Sequence, residues 1–479
     1  MPIGSSFRSW QLTTATLATQ LALLGLPAAL PTAQAETPAT KSRPAATTPQ
    51  GKKYQLAPAI DPPTAYRLKA VLEAEGKINP AAKSPVPIQV QAEMVYDERV
   101  LVAEAQRRQA VRHYDSAQAE ITIAGKTTSR KLDGDRSWIV YTADADRATL
   151  FSPTGQLRRD ELELIDLPAN ATELDRVLPT QSVALQESWE IPADAVTRIL
   201  PIDSIRDGQL IGKLVAVDGD TARIEFTGKL LGSDEGAKTS MDVRGKINVD
   251  LKSRAIKWIA VGIGEEREAN PTAPALRMQA RLRIALEPTE DADDLNDANL
   301  ASLDVLQQID SPGSLLLAYV SPTAEFQLIH DRTWHPISES TGPVILRKIE
   351  GGRVIAQCNV SQLNRLPEGS EMAMEGFQKE IRQTLGKMYN SVAEASTGQT
   401  PQGLKYLRVA VTGQVGQIPM HWIYYHLADA DGYRWAVVFT CEAEQLESFA
   451  GQDTALVNSL SRAPVEDPQT ASQTPPLAR

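Results

Sequence analysis

The sequence predicts an α+β protein with a curved antiparallel β-sheet in its N-terminal half and a mixed α/β domain in its C-terminal half. Apolar and polar residues alternate at every second position across much of the stretch from Tyr66 to Leu286, which is typical of strands with one buried face. After an acidic segment at 289–311, the pattern changes to strands around one amphipathic helix. With 479 residues, of which 42% are hydrophobic, the chain can form two or three domain cores.

The N-terminal strands are predicted by unbroken period-two runs. The clearest are Tyr66–Ala74, Ile88–Tyr96 and Leu276–Leu286, and Asp218-Gly219-Asp220 predicts a tight hairpin turn between two further strands. An antiparallel sheet of this size has an apolar face that must be covered. We therefore predict a β-rich domain over 59–288, either an open barrel or two half-sheets divided near 178–188.

Such a sheet could enclose an elongated apolar interior, and the inward positions of its strands identify the side chains that would line it. The predicted lining residues are Leu68, Leu72, Ile88, Val90, Ile224, Phe226, Leu282 and Ile284. The short helices predicted near 170–173 and 193–199 are too short to cover the sheet. A connected cavity would indicate a carrier of a lipid or another apolar ligand, whereas a filled interior would not.

The first 35 residues have the features of a cleaved export signal. Arg8 is followed by an apolar run from Leu17 to Leu30 and by the small-x-small sequence Ala33-Gln34-Ala35. The run is too short to span a bilayer. We expect cleavage after Ala35, a periplasmic or extracellular protein without a transmembrane helix, a disordered linker at 36–58 and a disordered tail at 464–479.

The net charge argues against nucleic-acid binding. The chain carries −11 at pH 7, and removal of the predicted leader with Arg8 gives −11 − 1 = −12. Affinity for phosphate backbones comes largely from clustered lysine and arginine side chains. One basic strip, formed by Arg277, Arg281 and Arg283, could still contact an anionic partner, although pairing with acids on neighbouring strands is the simpler interpretation.

The acidic segment at 289–311 is interpreted as a linker that leads into a short helix containing Leu300, Leu303 and Leu306. An EF-hand loop beginning at Asp291 would need glycine at its sixth position and glutamate at its twelfth, but these positions hold Asn296 and Ser302. Calcium binding is therefore the less favoured interpretation.

The region 312–463 is predicted to be an α/β domain. Met374, Phe377, Ile381, Leu385 and Met388 form one helical stripe with Ser370 as candidate N-cap, and three strands follow at 404–412, 418–427 and 433–441. Together with the opening segment from Phe326 to Trp334, these features resemble the PsbP/Mog-type α/β/α sandwich. The resemblance implies a binding or assembly protein with a partner surface, and it supplies no catalytic residue.

The N-terminal domain resembles, in strand rhythm and size, β-rich exported bacterial domains of unknown function and the incomplete barrels of LolA-type lipoprotein carriers. No sequence motif supports this resemblance. It would be compatible with the apolar-ligand carrier described above.

Cysteine and histidine residues allow two further hypotheses. Cys358 and Cys441 could form a disulfide in an exported protein, or both could be buried free thiols. His330, His335, His421 and Cys358 could combine into a zinc site across strands, but the odd spacing within each histidine pair argues against simple chelation. We therefore expect no metal and no other cofactor.

Known catalytic motifs are incomplete in this sequence. Gly125-Lys126-Thr127-Thr128 lacks the first glycine of a phosphate-binding loop, and Gly262-Ile263-Gly264 lacks a third glycine, so we interpret them as a strand turn and a strand end. The leading hypothesis is an exported, non-enzymatic protein for binding or envelope assembly. The alternatives are an apolar-ligand carrier and an extracytoplasmic hydrolase or metalloprotein.

Overall fold

The computed structural model describes residues 51–58, 65–79, 84–145, 147–270, 273–289, 292–309, 311–321, 325–338, 343–365 and 371–463. The predicted signal peptide at 1–35, most of the linker at 36–58 and the tail at 464–479 lie outside these residues. Export, cleavage after Ala35 and the compartment therefore stay predictions.

The N-terminal region contains fourteen strands and two short α-helices among the described residues. They are β1 (Lys53–Tyr54), β2 (Ala65–Asn79), β3 (Val86–Ala103), β4 (Arg108–Ile123), β5 (Lys126–Lys131), β6 (Trp138–Ala143), β7 (Ala148–Phe151), α1 (Arg159–Ile165), β8 (Val183–Ala184), β9 (Ser188–Ile191), α2 (Ala193–Ile199), β10 (Ser204–Asp218), β11 (Thr221–Asp234), β12 (Ala237–Asp250), β13 (Ala255–Arg267) and β14 (Ala275–Thr289). Short 3₁₀ helices form at Gly134–Arg136 and Ala171–Val177.

Twelve of these strands build one antiparallel sheet within the described residues. The order is β7-β6-β4-β3-β2-β14-β13-β12-β11-β10-β9, and β5 pairs with β4. The two edge strands do not pair with each other, so the sheet is open. The alternative of two half-sheets is wrong. Strands β2 and β14 pair along their whole length, from Ala65 opposite Thr289 to Asn79 opposite Ala275, and this pairing joins the two halves.

The segment from Leu157 to Ile202 covers much of the apolar face of this sheet. Leu162, Leu164, Leu174, Val196 and Ile199 belong to the same buried cluster as the inward residues of the strands. The prediction that the short helices leave the sheet uncovered is therefore wrong. Short helices and turns together bury the surface that one long helix would otherwise cover.

The predicted linker at 36–58 is ordered at its end. Lys53 and Tyr54 of β1 pair with Ala184 and Val183 of β8, and Leu56 is completely buried. A single apolar residue among polar neighbours gives no periodic signal, so the sequence pattern did not reveal this contact.

The acidic segment packs on the sheet instead of standing free as a linker. It forms a 3₁₀ turn at Asp293–Leu295, then α3 (Asp297–Ser302) and α4 (Val305–Gln308). Leu295, Leu300 and Val305 pack on Val111 and Val140, whereas Leu306 is 69% exposed. Arg99 contacts Asp297, and His113 contacts Asp294. The acids of this segment therefore hold it on the outer surface of the strands.

The C-terminal region, which starts with a 3₁₀ turn at Pro312–Leu315, contains two sheets and three α-helices among the described residues. Its elements are β15 (Leu317–Val320), β16 (Phe326–His330), β17 (Trp334–Ser338), β18 (Val344–Glu350), β19 (Arg353–Leu363), α5 (Met374–Leu385), β20 (Tyr389–Gln399), β21 (Lys405–Val415), β22 (Ile418–Ala428), β23 (Arg434–Glu442), α6 (Leu446–Phe449), α7 (Gln452–Ser459) and β24 (Ser461–Arg462). The sheet orders are β17-β18-β19-β23-β22-β21-β20 and β15-β16-β24.

The seven-stranded sheet is packed on both faces. Phe377, Ile381 and Leu385 of α5 pack on Val409, Val411 and Trp422, while Phe449, Leu456 and Val457 of α6 and α7 contribute to the core on the other face. The three predicted strands after the helix correspond to β21, β22 and β23. The predicted N-cap Ser370 lies outside the described residues, and Ala373 occupies the N-cap position without a side-chain hydrogen bond.

The two regions are joined by a polar boundary. Arg159 of α1 donates to the carbonyl oxygens of Arg332 at 2.5 Å and of Trp334 at 3.0 Å, and Arg332 donates back to the Leu150 carbonyl at 2.6 Å. The Ala318 amide also donates to the Leu157 carbonyl at 2.9 Å. Reciprocal hydrogen bonds of this kind fix the second domain against the edge and covering segment of the first.

Candidate functional site

All eight predicted cavity-lining residues lie in the core of the first sheet, with exposed fractions between 0% and 5%. Leu72 and Val90 contact a crevice of about 30 Å³, and Ile284 contacts a second space of about 10 Å³. These volumes hold about one water-sized group. Neither of these two spaces is therefore large enough to be the predicted elongated cavity.

The crevice lies between β2, β3 and β4 on one side and α1 with the following turn on the other. Its floor is apolar and comprises Leu72, Val90, Ala92, Ala119 and Ile121. Arg130, Asp160 and Glu163 contribute titratable groups, and Leu164, Asp166, Leu167 and Pro168 complete the wall. An apolar floor beside a few converging polar groups is the usual composition of a small-molecule site.

Glu163 is the most perturbed carboxyl group in this crevice. Its Oε2 atom is enclosed and has no hydrogen-bond partner. Burial raises the pKa of Glu163 to about 8, although Arg159 and Arg130 act in the opposite direction. Near neutral pH the group is therefore mostly a neutral carboxylic acid, which can donate one hydrogen bond to a ligand.

A buried ionic network beside the crevice was missed in the sequence. Arg112 Nε donates to Glu98 at 2.7 Å, and both side chains are 3% exposed. The same guanidinium donates to Asn170 at 2.6 Å and lies over the Tyr96 ring. Glu98 follows Met94 and Tyr96 at the next inward-facing position of β3. A charged residue at a position where the alternation predicts an apolar one was the signal for this network in the sequence.

A second set of charges fixes the 3₁₀ helix after the crevice. Arg108 donates to Asp175 at 2.6 Å and to the Thr172 carbonyl at 2.9 Å. Glu173 is completely buried, accepts from the Tyr141 hydroxyl at 2.8 Å and pairs with Arg176. These contacts hold 171–177 on the strands and fix one end of the segment that covers the crevice.

Cys358 and Cys441 are both buried and free. They lie on the adjacent strands β19 and β23, where Cys358 pairs with Phe439, two positions before Cys441. Burial raises the pKa of Cys358 well above its ordinary value and that of Cys441 to about 11. Both thiols therefore stay protonated at neutral pH. The structure contains two packed free thiols and no bridge between them.

The candidate metal ligands do not converge. His330 lies on β16, His335 on β17 and His421 on β22, and no group of three potential ligands occurs among the described residues. His330 Nδ1 contacts the Asp331 carbonyl at 2.7 Å, and His426 accepts from Arg434 Nε at 3.0 Å. Burial lowers the pKa of His330 and of His426 to about 4, with Arg159 and Arg434 as the respective second causes.

The predicted basic strip is largely paired. Arg277 contacts Glu266 at 2.6 Å and Arg283 contacts Glu73 at 3.1 Å, while Arg281 lies opposite Glu73 in the register of β14 and β2. Cross-strand pairing with acids on neighbouring strands is thus the observed arrangement. Exposed pairs of this kind contribute little to stability.

The glycine motifs occupy ordinary β-structure. Ala124 and Gly125 have φ values of 51° and 82° and form the turn between β4 and β5. Gly262 and Gly264 lie inside β13, so the predicted strand end is an interior position. No described helix is long and apolar enough to cross a membrane.

No protein-family model and no curated protein matches this chain. Among solved structures, cyanobacterial PsbP (CyanoP) from Synechocystis is 12% identical, with 31% of this chain and 92% of that chain covered at a TM-score of 0.25. Lipovitellin is 8% identical, with 48% of this chain and 25% of the lipovitellin chain covered at a TM-score of 0.27. This chain therefore spans a quarter of the lipovitellin chain.

A third match is DynF from the dynemicin biosynthesis pathway of Micromonospora chersina. It is 8% identical, with 53% of this chain and 96% of that chain covered at a TM-score of 0.14. Scores this low carry no argument about function. The PsbP/Mog-like and LolA-like resemblances therefore both stay predictions.

Proposed function

We propose that this chain is a non-enzymatic binding protein for an amphipathic ligand, which inserts its apolar end into the crevice beside α1. The observation that carries the proposal is the convergence of an apolar floor with the enclosed Oε2 atom of Glu163, which has no hydrogen-bond partner. The neutral carboxyl group and Arg130 would bind the polar end of the ligand. Export to the cell envelope, as expected from the first 35 residues, would give such a protein access to lipids and their fragments.

The size of the crevice limits how the ligand enters. A space of about 30 Å³ cannot hold an acyl chain, so the turn containing Leu167 and Pro168 must move outward when the ligand binds. The strand side of the crevice contains Ala92 and Ala119, whose short side chains leave room above the sheet. A branched side chain at Ala119 should therefore block the site.

Binding of decanoic acid to the purified chain tests this proposal by calorimetric titration. We expect saturable binding to the wild type and at least tenfold weaker binding to Ala119→Val. Ala280→Val is the matched control, because Ala119 and Ala280 are both 6% exposed in the same core and only Ala119 lines the crevice. Circular dichroism verifies that both variants fold.

The pH dependence of the affinity for decanoic acid tests the role of Glu163. Glu163→Gln keeps a hydrogen-bond donor but cannot ionise, so its affinity should no longer decrease as the pH rises through about 8. Absence of saturable binding to the wild type, or equal weakening by Ala119→Val and Ala280→Val, would show that the crevice is only a packing defect.

A further inference from the structure

A row of polar side chains crosses the seven-stranded sheet on the face opposite its main core. The row consists of His335 on β17, Arg347 on β18, Gln357 on β19 and Thr440 on β23, each directly opposite the next. The adjacent residues Leu346, Cys358 and Phe439 lie in the core cluster. Because side chains alternate along a strand, the polar row points to the other face, where it ends at Trp422 beneath α5.

Two amide side chains orient the guanidinium group of Arg347. Arg347 Nε donates to Gln357 Oε1 at 3.3 Å, and Gln357 Nε2 donates to Asn359 Oδ1 at 3.0 Å. This chain of hydrogen bonds engages one edge of the guanidinium group. The two terminal nitrogens have no hydrogen-bond or ion-pair partner in the described part of the chain, and together they form the planar fork that matches an oxyanion.

No acid accompanies Arg347, in contrast to several of the other partly or fully buried arginines. Arg112, Arg267 and Arg408 each contact a carboxylate. Arg347 is half-buried, and burial alone lowers its pKa, without an acidic group that counteracts this effect. Removing a cation from water without a counter-ion is unfavourable, so the site would gain free energy by binding an anion.

The surroundings of Arg347 favour the same ligand. The neighbouring row on this face contains Ile345, Asn359, Val438 and Tyr424, so hydroxyl and amide groups flank the arginine and neither row contains an acid. At the boundary end of the row, burial lowers the pKa of His335, and the nearby charge of Arg159 lowers it further. Within these two rows Arg347 is therefore a positive charge without a compensating acid, although the whole protein is acidic.

We propose that Arg347, held by Gln357 and Asn359, is a binding site for an oxyanion, either a carboxylate or a phosphate monoester, on a ligand or partner of this protein. The terminal nitrogens would donate two parallel hydrogen bonds to the anion, and Thr440 and Tyr424 would border it. The site is separate from the crevice beside α1 and does not depend on the function proposed above.

Titration of the full chain with methyl phosphate and, separately, with acetate tests the site. We expect saturable binding of at least one anion at low ionic strength, and the tighter of the two identifies the ligand class. Arg347→Gln should weaken binding roughly tenfold or more. Arg353→Gln removes the same charge from an exposed position near the adjacent hairpin and should leave the affinity within about twofold.

A second variant tests the role of the amide pair. Gln357→Met keeps the charge of Arg347 but removes the acceptor that orients it, so binding should weaken by a smaller factor than in Arg347→Gln. If neither anion binds the wild type, the site does not exist. If Arg347→Gln and Arg353→Gln weaken binding equally, the anion is attracted by diffuse charge on this surface and not by a specific site at Arg347.

Discussion

Gly236 and Gly352 meet at the tips of two hairpins that belong to different sheets. A Cβ atom on Gly236 would lie 3.2 Å from Gly352 Cα, and a Cβ atom on Gly352 would lie 2.6 Å from the Glu235 carbonyl oxygen. The β11–β12 turn of the first domain thus contacts the β18–β19 turn of the second through bare backbone. This contact and the hydrogen bonds of Arg159 hold the domains in one arrangement.

The contact between the hairpins predicts that Gly352→Ala weakens the docking of the two domains. The new methyl group collides with backbone, which cannot rotate away as a side chain can. We expect a loss of about 1–3 kcal/mol of unfolding free energy, measured by denaturant titration. Gly351→Ala is the control, because Gly351 also has a positive φ, of 56° against 73°, but its Cβ would meet nothing within 4 Å. Equal losses in both variants would assign the effect to backbone strain alone.

Arg159 provides the second prediction. Arg159→Met removes both hydrogen bonds to the second domain and should cost about 1–3 kcal/mol, because the Arg332 and Trp334 carbonyls then lack their donor. The unfolding transition should separate into two steps, one for each domain. Arg198→Met removes a similar pair of bonds, to the carbonyls of Asp144 and Ala145 within the first domain, and should keep a single transition. A single transition in Arg159→Met would contradict this role.

The sequence revealed the strands because their burial is periodic, and it did not reveal what covers them. Leu68, Leu72 and Ile284 alternate with polar residues, so their inward direction could be predicted. The crevice depends instead on Leu164 and Pro168, which lie in a short helix and a turn without a repeating pattern. Glu163 and Arg347 are single charged residues, and only the three-dimensional structure shows that one is enclosed and the other lacks an acid.

The pKa of Glu163 predicts how stability depends on pH. Its folded-state pKa of about 8 is above the ordinary 4.5, so the folded protein keeps a proton that the unfolded chain releases. Stability should therefore fall as the pH rises from about 4.5 to 8. Glu163→Gln should remove part of this decrease, on the order of 2 kcal/mol after solvent screening. Glu235, whose pKa is raised to about 7 by burial, acts in the same direction.

The two carboxyl groups can be separated by their pH windows. Unfolding free energies measured by denaturant titration between pH 5 and 8.5 should show that Glu235→Gln changes the slope mainly below pH 7. Glu163→Gln should still change it between pH 7 and 8. A wild-type stability that stays constant across this range would contradict the enclosed position of Glu163.

His330 predicts the opposite dependence at acid pH. Its pKa is lowered from 6.5 to about 4 by burial and by Arg159, so the unfolded chain binds a proton that the folded protein rejects. Stability should decrease as the pH falls from about 6.5 towards 4. His335, whose pKa is also lowered, and the carboxylate of Asp331 face the same boundary. Acid should therefore loosen the contact between the domains before it unfolds either one.

His330→Asn tests this mechanism, since asparagine can still donate to the Asp331 carbonyl but does not titrate. The slope of stability against pH should decrease by up to about 1.4 kcal/mol per pH unit between pH 6.5 and 4. His426→Asn should reduce the slope similarly, because the pKa of His426 is also about 4, but His426 lies away from the boundary. Hydrogen exchange of residues 330–337 distinguishes the two. Acid should accelerate exchange there in the wild type and in His426→Asn, and much less in His330→Asn, whereas equal acceleration in all three proteins would remove His330 from the acid response.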